Sequence, residues 1–523
     1  MLKKIIAIFL IFSTLLLSSG CNYIRKSFAL DDNIIFVPLD SRPVNTQNVS
    51  ILTKMWGKNL ILPPKNVLDD YTKPGNHEAL KKWLNEGASK DNVYAIVISV
   101  QQYINGGLIA SRDIKNYNDY KKRLLTLYNF IKKNKDKNII IFSVIPRLKP
   151  TQFSDYQYIK YNQQIVEFSE LKDIVDLYHR ESDVKKLEKI ESGIPTDLIK
   201  NYNNLFEIND VINQKLIDWT RDGYIKTLVI GNDDTSQYSM TNMVSRKLSQ
   251  YVESHGISDK VYMLHGADEI GMEITARLAN EYYKQKPRFH VVYDVENPRE
   301  IILPYEGADL KKIVEEKINF VGGKTDSNGE LILYIHTNKN LGIKSDLDKY
   351  KNIGQNFGIA DVAYTNMADA NVVDAVLKDD PIDIMYAGWN TPSNAIGTVI
   401  SEMPIKEILD KKLVPYDKRD EAVKSFVSFS FIRMADDYGY QAVVRNEMYK
   451  WAEANGINKD YINVESSNNE LSNKMEPVLE MLSKTYEGRA VLEKKIKKIE
   501  ASVAYPWDRM FEIEVMPHVE LGS

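Results

Sequence analysis

Short apolar runs that each stop at a polar or proline-containing turn, with helix-like stretches between them, constrain this chain more than any other feature. Ile34 to Val37 runs into Pro38-Leu39-Asp40-Ser41-Arg42-Pro43, and Leu60 to Leu62 into Pro63-Pro64. Tyr94 to Val100 leads to Gln101-Gln102-Tyr103-Ile104-Asn105-Gly106-Gly107, and Ile139 to Ile145 to Pro146-Arg147. The run at Thr227 ends in Gly231-Asn232-Asp233-Asp234, and Val261 to Leu264 ends in His265-Gly266-Ala267-Asp268-Glu269. Phe289 to Tyr293, Leu331 to Ile335, Ile359 to Thr365 and Ile382 to Tyr386 continue the series. Continuous apolar runs suit strands covered on both faces, and alternation with helices argues for parallel pairing through crossovers. The fold class expected is therefore α/β, with a barrel-like or multi-layer Rossmann-like core and a helical C-terminal region.

The expected organisation is an α/β core over 33–404, with a helical insertion at about 149–222, followed by a mainly helical region over 405–523. The N-terminus reads differently. Lys3 and Lys4 precede an apolar run from Ile5 to Leu17, and Ser18-Ser19-Gly20-Cys21 follows. A basic start, an apolar stretch of signal length and small residues at the cut form a lipoprotein signal over 1–20. Cys21 is the one cysteine in the chain, so it has no partner for an internal disulfide and is the expected lipidated residue. A short membrane anchor is the alternative, although the run falls below the usual spanning length. Residues 21–32 would tether the rest to the extracytoplasmic face of the cell membrane. A net charge of −4 gives no reason to expect a nucleic-acid partner.

In parallel α/β folds, ligands bind at the carboxyl ends of the strands, so the turns carry the functional expectation. Asp233 and Asp234 are the candidate catalytic pair, because like charge and burial let one carboxyl keep its proton while its neighbour stays ionised. The competing reading is that they cap the following helix. Asp268-Glu269 is a second acidic strand end, again readable as a helix start. Asp40 and Arg42 offer a carboxylate and a guanidinium between two prolines. Trp389, Asn390 and Asn394 offer an aromatic face and amides suited to a sugar, or else plain packing. Asn105, Arg112 and Asp369 complete the substrate-binding candidates, with Arg147 beside them. His265, Asp268 and Asp40 could converge on a metal, but no HExxH, cysteine cluster or dense histidine motif supports a metal site. GxSxG, Walker A and GxGxxG signatures are all missing, so no cofactor is expected.

The runs PLDSRPVN, LPP, GGLIASR, GNDD, GADEIG, AGWNTPSNAIGT and PWDRMFE, taken in order, resemble a bacterial family known as domain of unknown function 4127. Asn232 stands where that pattern has Gln, and Met367 where it has Gly. Separately, GNDD and YAGWNTPSN are similar to motifs of hexosaminidases that use substrate assistance. That resemblance implies that Asp233 orients a substrate acetamide while Asp234 protonates the leaving oxygen. The function expected is a surface-tethered, carbohydrate-active hydrolase. A non-catalytic lipoprotein that binds a sugar or cell-wall fragment, and a metal-dependent hydrolase, are the alternatives.

Overall fold

The computed structural model describes residues 32–150, 157–339, 343–351 and 356–522. The signal over 1–20, Cys21 and the tether before Asp32 lie outside the described residues. Among the described residues no helix is long and apolar enough to cross a membrane.

Two open parallel sheets replace the barrel alternative. The first contains β1 (Asn33–Val37), β2 (Asn59–Ile61), β3 (Val93–Ser99), β4 (Ile139–Ile145), β5 (Thr227–Asn232) and β6 (Val261–His265), in the order β2-β1-β3-β4-β5-β6. The second contains β7 (Arg288–Tyr293), β8 (Lys324–Thr325), β9 (Leu331–His336), β10 (Asn356–Asp361) and β11 (Ile384–Ala387), in the order β11-β10-β9-β7-β8. Read from its β8 edge, the second sheet repeats the order of the first five strands of the first sheet. In both sheets the chain starts inside, steps to one edge, returns, and then builds outward on the other side. That reversal creates a switch point between β1 and β3, and another between β7 and β9, where loops diverge and leave a crevice.

Burial explains why these runs are strands. Every residue of β4, β5 and β9 is buried, which is what a parallel sheet covered by helices on both faces requires. Among the described residues four helices stand between β4 and β5, at Gln157–Lys160, Asn162–Tyr178, Glu181–Ser192 and Thr196–Arg221. The helix Pro392–Asp410 is buried almost throughout and packs against both the second sheet and the helix Ile270–Tyr282 that follows β6. Gly397 permits this approach, since a Cβ there would lie 2.4 Å from Cγ of Glu269.

The C-terminal region is helical only as far as Tyr486. It ends in an antiparallel sheet of β12 (Ala490–Val491), β13 (Lys494–Ala504) and β14 (Glu514–Gly522). The buried residues of β13, Ile496, Ile499 and Val503, have helical spacing. An irregularity in register between Ile496 and Lys498 produces it, by shifting the strand's inward face by one residue.

Candidate functional site

The turns after β1, β3, β4, β5 and β6 converge with segments of the second half around a cavity of about 270 Å³. Its first wall is built from ion pairs. After β1, prolines flank a tight turn in which Nε and Nη2 of Arg42 donate to Oδ2 of Asp40 at 2.9 and 2.7 Å. The same guanidinium donates to Asp268 after β6, at 3.0 and 2.5 Å. Asp40 is fully buried behind Arg42, and Asn45 donates to its other oxygen at 2.9 Å. Burial pushes the Asp268 carboxyl up to about 6, against the pull of Arg42 and with a push from Asp40.

The turn after β3 carries Arg112 into the cavity, where Nε and Nη2 donate to Oδ2 of Asp233 at 3.1 and 2.5 Å. After β4, Arg147 pairs with Asp234 at 2.8 Å. Asp233 and Asp234 are therefore neighbours with different environments. Burial works against ionisation of Asp233, but Arg112 and Arg147 outweigh it and hold the carboxyl below the usual range. Asp234 is a quarter exposed to the cavity, and burial pushes it up despite Arg147, with the charge of Asp233 adding to the rise. Neither caps a helix. The next helix, Met240–Ser254, is capped by Ser239, whose Oγ accepts from the Asn242 amide.

The second wall comes from Tyr305 and Glu306, Thr365 and Asn366 after β10, Asn390, Thr391 and Asn394 after β11, and Arg509 and Phe511 between β13 and β14. Glu306 accepts from the Ser393 amide at 2.8 Å and from its hydroxyl at 2.7 Å. Burial raises its carboxyl to about 7, although His265 and both Ser393 contacts favour the charged form. Oδ1 of Asn232, Asn366 and Asn394 and Nε of Arg147 are buried without a hydrogen-bond partner among the described residues. Other buried polar atoms elsewhere in the described residues also lack partners, but these four belong to residues that line one cavity, where a ligand can meet them.

Of the residues singled out from sequence, Asp233, Asp234, Arg42, Arg112, Arg147, Asp268, Asn390 and Asn394 line the cavity, and Asp40 supports Arg42 from behind. Others lie elsewhere. Asn105 is buried in a single π turn and donates to the Asn116 carbonyl at 3.4 Å. Glu269 turns away to the buried Lys317 at 2.5 Å. Asp369 caps the helix Ala370–Lys378 and meets Nε2 of His336 at 3.3 Å. Trp389 is buried beside Phe511, with ring centroids 6.1 Å apart. His265 faces Glu316 at 2.8 Å rather than Asp268. Among the described residues no group of three or more His, Cys, Asp or Glu side chains is arranged to hold a metal ion. Tyr305 and Glu306 escaped the sequence reading because no strand-end motif marks them, whereas Asn366 follows the run Ile359 to Thr365 but was not among the site candidates. Arg509 and Phe511 lay within PWDRMFE, the motif that could have pointed to them.

Residues 34–516 match the family described as a protein of unknown function, DUF4127. With nearly the whole chain matched, the protein belongs to that family. No curated protein matches it.

Proposed function

We propose that this member of the family is a surface-tethered hydrolase that acts on a glycan, with Asp234 as general acid and Asp233 as the ionised partner. The observation that carries the proposal is the divergence of these adjacent carboxyls, one held charged by Arg112 and the other raised while still reaching the cavity. Pairs of acids driven apart by their surroundings are how acid and base roles are divided at a single pH. In this scheme Asp234 gives its proton to the glycosidic oxygen as the bond to the anomeric carbon breaks. Asp233, oriented by Arg112, holds a substrate acetamide in place to attack that carbon, and water later opens the intermediate.

The lining supports a neutral, hydroxyl-rich ligand. Four arginines face the cavity, and in this scheme three of them keep an ionised partner, Arg42 in Asp40, Arg112 in Asp233 and Arg509 in Glu512 at 2.5 Å, while Arg147 meets the protonated Asp234 at 2.8 Å. The partnerless amide oxygens of Asn232, Asn366 and Asn394 call for donors, which hydroxyl groups supply. At about 270 Å³ the cavity is slightly smaller than ordinary ligand pockets of about 300–1,000 Å³, a size suited to a terminal sugar.

The test is a panel of aryl glycosides and cell-wall glycans offered to the wild type and to Asp234→Asn. Loss of about 100-fold or more in kcat, with the thermal shift on ligand retained, is the expected result. Full activity in Asp234→Asn refutes the acid role. A chelator arm is expected to change nothing, whereas loss restored by one divalent ion replaces this scheme with a metal-dependent one.

The second reading, a binding lipoprotein without turnover, is favoured by the partnerless amides, which serve affinity without requiring chemistry. Ligand-induced stabilisation with no product from any substrate would establish it. Anchoring through Cys21 rests on Lys3, Lys4 and the Ile5 to Leu17 run. Incorporation of a palmitate analogue, lost in Cys21→Ala, checks it.

A further inference from the structure

The cavity has a neighbour. An outer groove of about 650 Å³ is lined by Leu148, Val166, Thr235 and Pro304, and it shares Arg147, Asp234 and Tyr305 with the inner cavity. The Arg147–Asp234 pair therefore stands where the two spaces meet. Their characters differ, since the inner space is lined by guanidiniums, carboxyls and amides, while Leu148, Val166, Pro304 and the Tyr305 ring give the groove apolar surface.

Tyr305 marks the passage. Its ring is 46% exposed, and its backbone adopts φ 71°, a left-handed conformation uncommon for an aromatic residue. The Thr235 amide donates to its carbonyl at 3.0 Å and ties this turn to the strand end that carries Asp233 and Asp234. Backbone conformations of this kind are strained and cluster at ligand clamps. An exposed aromatic ring beside a polar cavity is a stacking platform for the apolar face of a sugar.

We infer that the protein takes an extended glycan chain by its end, with the terminal non-reducing residue in the inner cavity and the following residues along the groove over Tyr305. The inference rests on the hydrolase reading, in which Asp234 protonates the oxygen between the two spaces. The cleaved bond then lies at the boundary, the donor sugar remains inside, and the rest of the chain departs through the groove. At about 270 Å³ the inner cavity has room for about one sugar, which places a single residue of the chain there. Cleavage releases one terminal sugar at a time.

Val166 on the helix Asn162–Tyr178 is partly exposed and lines only the outer groove, so Val166→Arg obstructs the chain without touching the cavity. Val166→Thr, close to it in shape, controls for folding, and melting temperatures accompany both variants. With an oligosaccharide, Val166→Arg is expected to raise KM about tenfold at unchanged kcat, while a methyl monoglycoside, whose leaving group is too small to fill the groove, keeps its KM within twofold. A chain labelled at its reducing end should shorten one residue at a time. Internal fragments from the outset, or equal changes for the short and long substrates, overturn the inference while leaving the hydrolase reading in place. If the wild type cleaves nothing, the hydrolase reading falls and thermal shift decides the groove. Greater stabilisation by an oligosaccharide than by its terminal monosaccharide, lost in Val166→Arg, upholds the groove, and equal stabilisation overturns it.

Discussion

Glu306 makes stability depend on pH in a direction that can be worked out from its surroundings. The side chain is 3% exposed, and its oxygens accept from the amide and hydroxyl of Ser393 in the first turn of the helix Pro392–Asp410. Two influences compete. The helix N-terminus and His265 favour the carboxylate, whereas burial favours the acid and wins, raising the group from 4.5 to about 7. Between those values the folded chain keeps a proton that the unfolded chain has released. Stability from this group is therefore fully present below about pH 4.5 and falls as pH rises, by about 1.4 kcal/mol per unit. The loss reaches about 3 kcal/mol above pH 7. Glu306→Gln has the shape of the protonated acid and cannot ionise, so its amide can still donate to the Ser393 hydroxyl. Urea denaturation of both proteins at pH 5, 6, 7 and 8 should show the variant gaining on the wild type through pH 7 and then keeping a constant lead. Other carboxyls titrate in both proteins and cancel. Parallel stability curves would refute the raised acid, and a variant that loses ground as pH rises would show that the helix end and His265 keep Glu306 ionised.

Arg112→Met leaves the buried Asp233 without its partner and is expected to destabilise by about 3–5 kcal/mol in urea, while Arg112→Met with Asp233→Asn recovers most of that loss. A double variant as unstable as the single would contradict this account. Glu402 is fully buried with neither oxygen bonded, and burial raises it to about 8. Its contribution also falls with rising pH, from about 4.5 to about 8, so Glu402→Gln should gain melting temperature on the wild type between pH 5 and pH 8. The acid role of Asp234 needs its proton, and the raised carboxyl keeps that proton above the ordinary carboxylate range. The alkaline limb of kcat/KM should therefore lie above that range, and it should move down when Asp233→Asn removes the neighbouring charge.

Local signals revealed the strands and the acids, but not the partnerships between them. A run such as Ile139 to Ile145 reads as a strand because both faces are buried, and that property is written in neighbouring residues. Whether such strands close into a barrel depends on their order, which no single run encodes. The pairing of Arg42 with Asp268 spans 226 residues and that of Arg112 with Asp233 spans 121, so the charged residues were visible while their network was not. The capping alternative for Asp233 and Asp234 stayed open because the choice between them and Ser239 depends on where the helix begins. Trp389 misled for a related reason. An aromatic residue in a polar turn has the composition of a sugar platform, yet this one packs inward, while the exposed ring belongs to Tyr305, which follows Pro304 and no strand.

The repeated strand order explains how such a site can hold so much charge. Placing two sheets of similar topology with their carboxyl ends together brings two sets of loops into one space, and the sets differ in chemistry. The first half contributes Arg42 with Asp40 and Asp268, Arg112 with Asp233, and Arg147 with Asp234, each pair closed within that half. The second half contributes amides, Glu306 and Arg509, whose contacts with Ser393 and Glu512 are also internal. Every arginine of the first half that faces the cavity is paired with a carboxyl of that same half. The polar groups left over are the amide ends of Asn366 and Asn394 on one side and of Asn232 on the other, together with Nε of Arg147. A ligand with hydroxyls around its rim can meet both sides at once. An anion would have to compete there with the carboxylates already bonded to Arg42, Arg112 and Arg509.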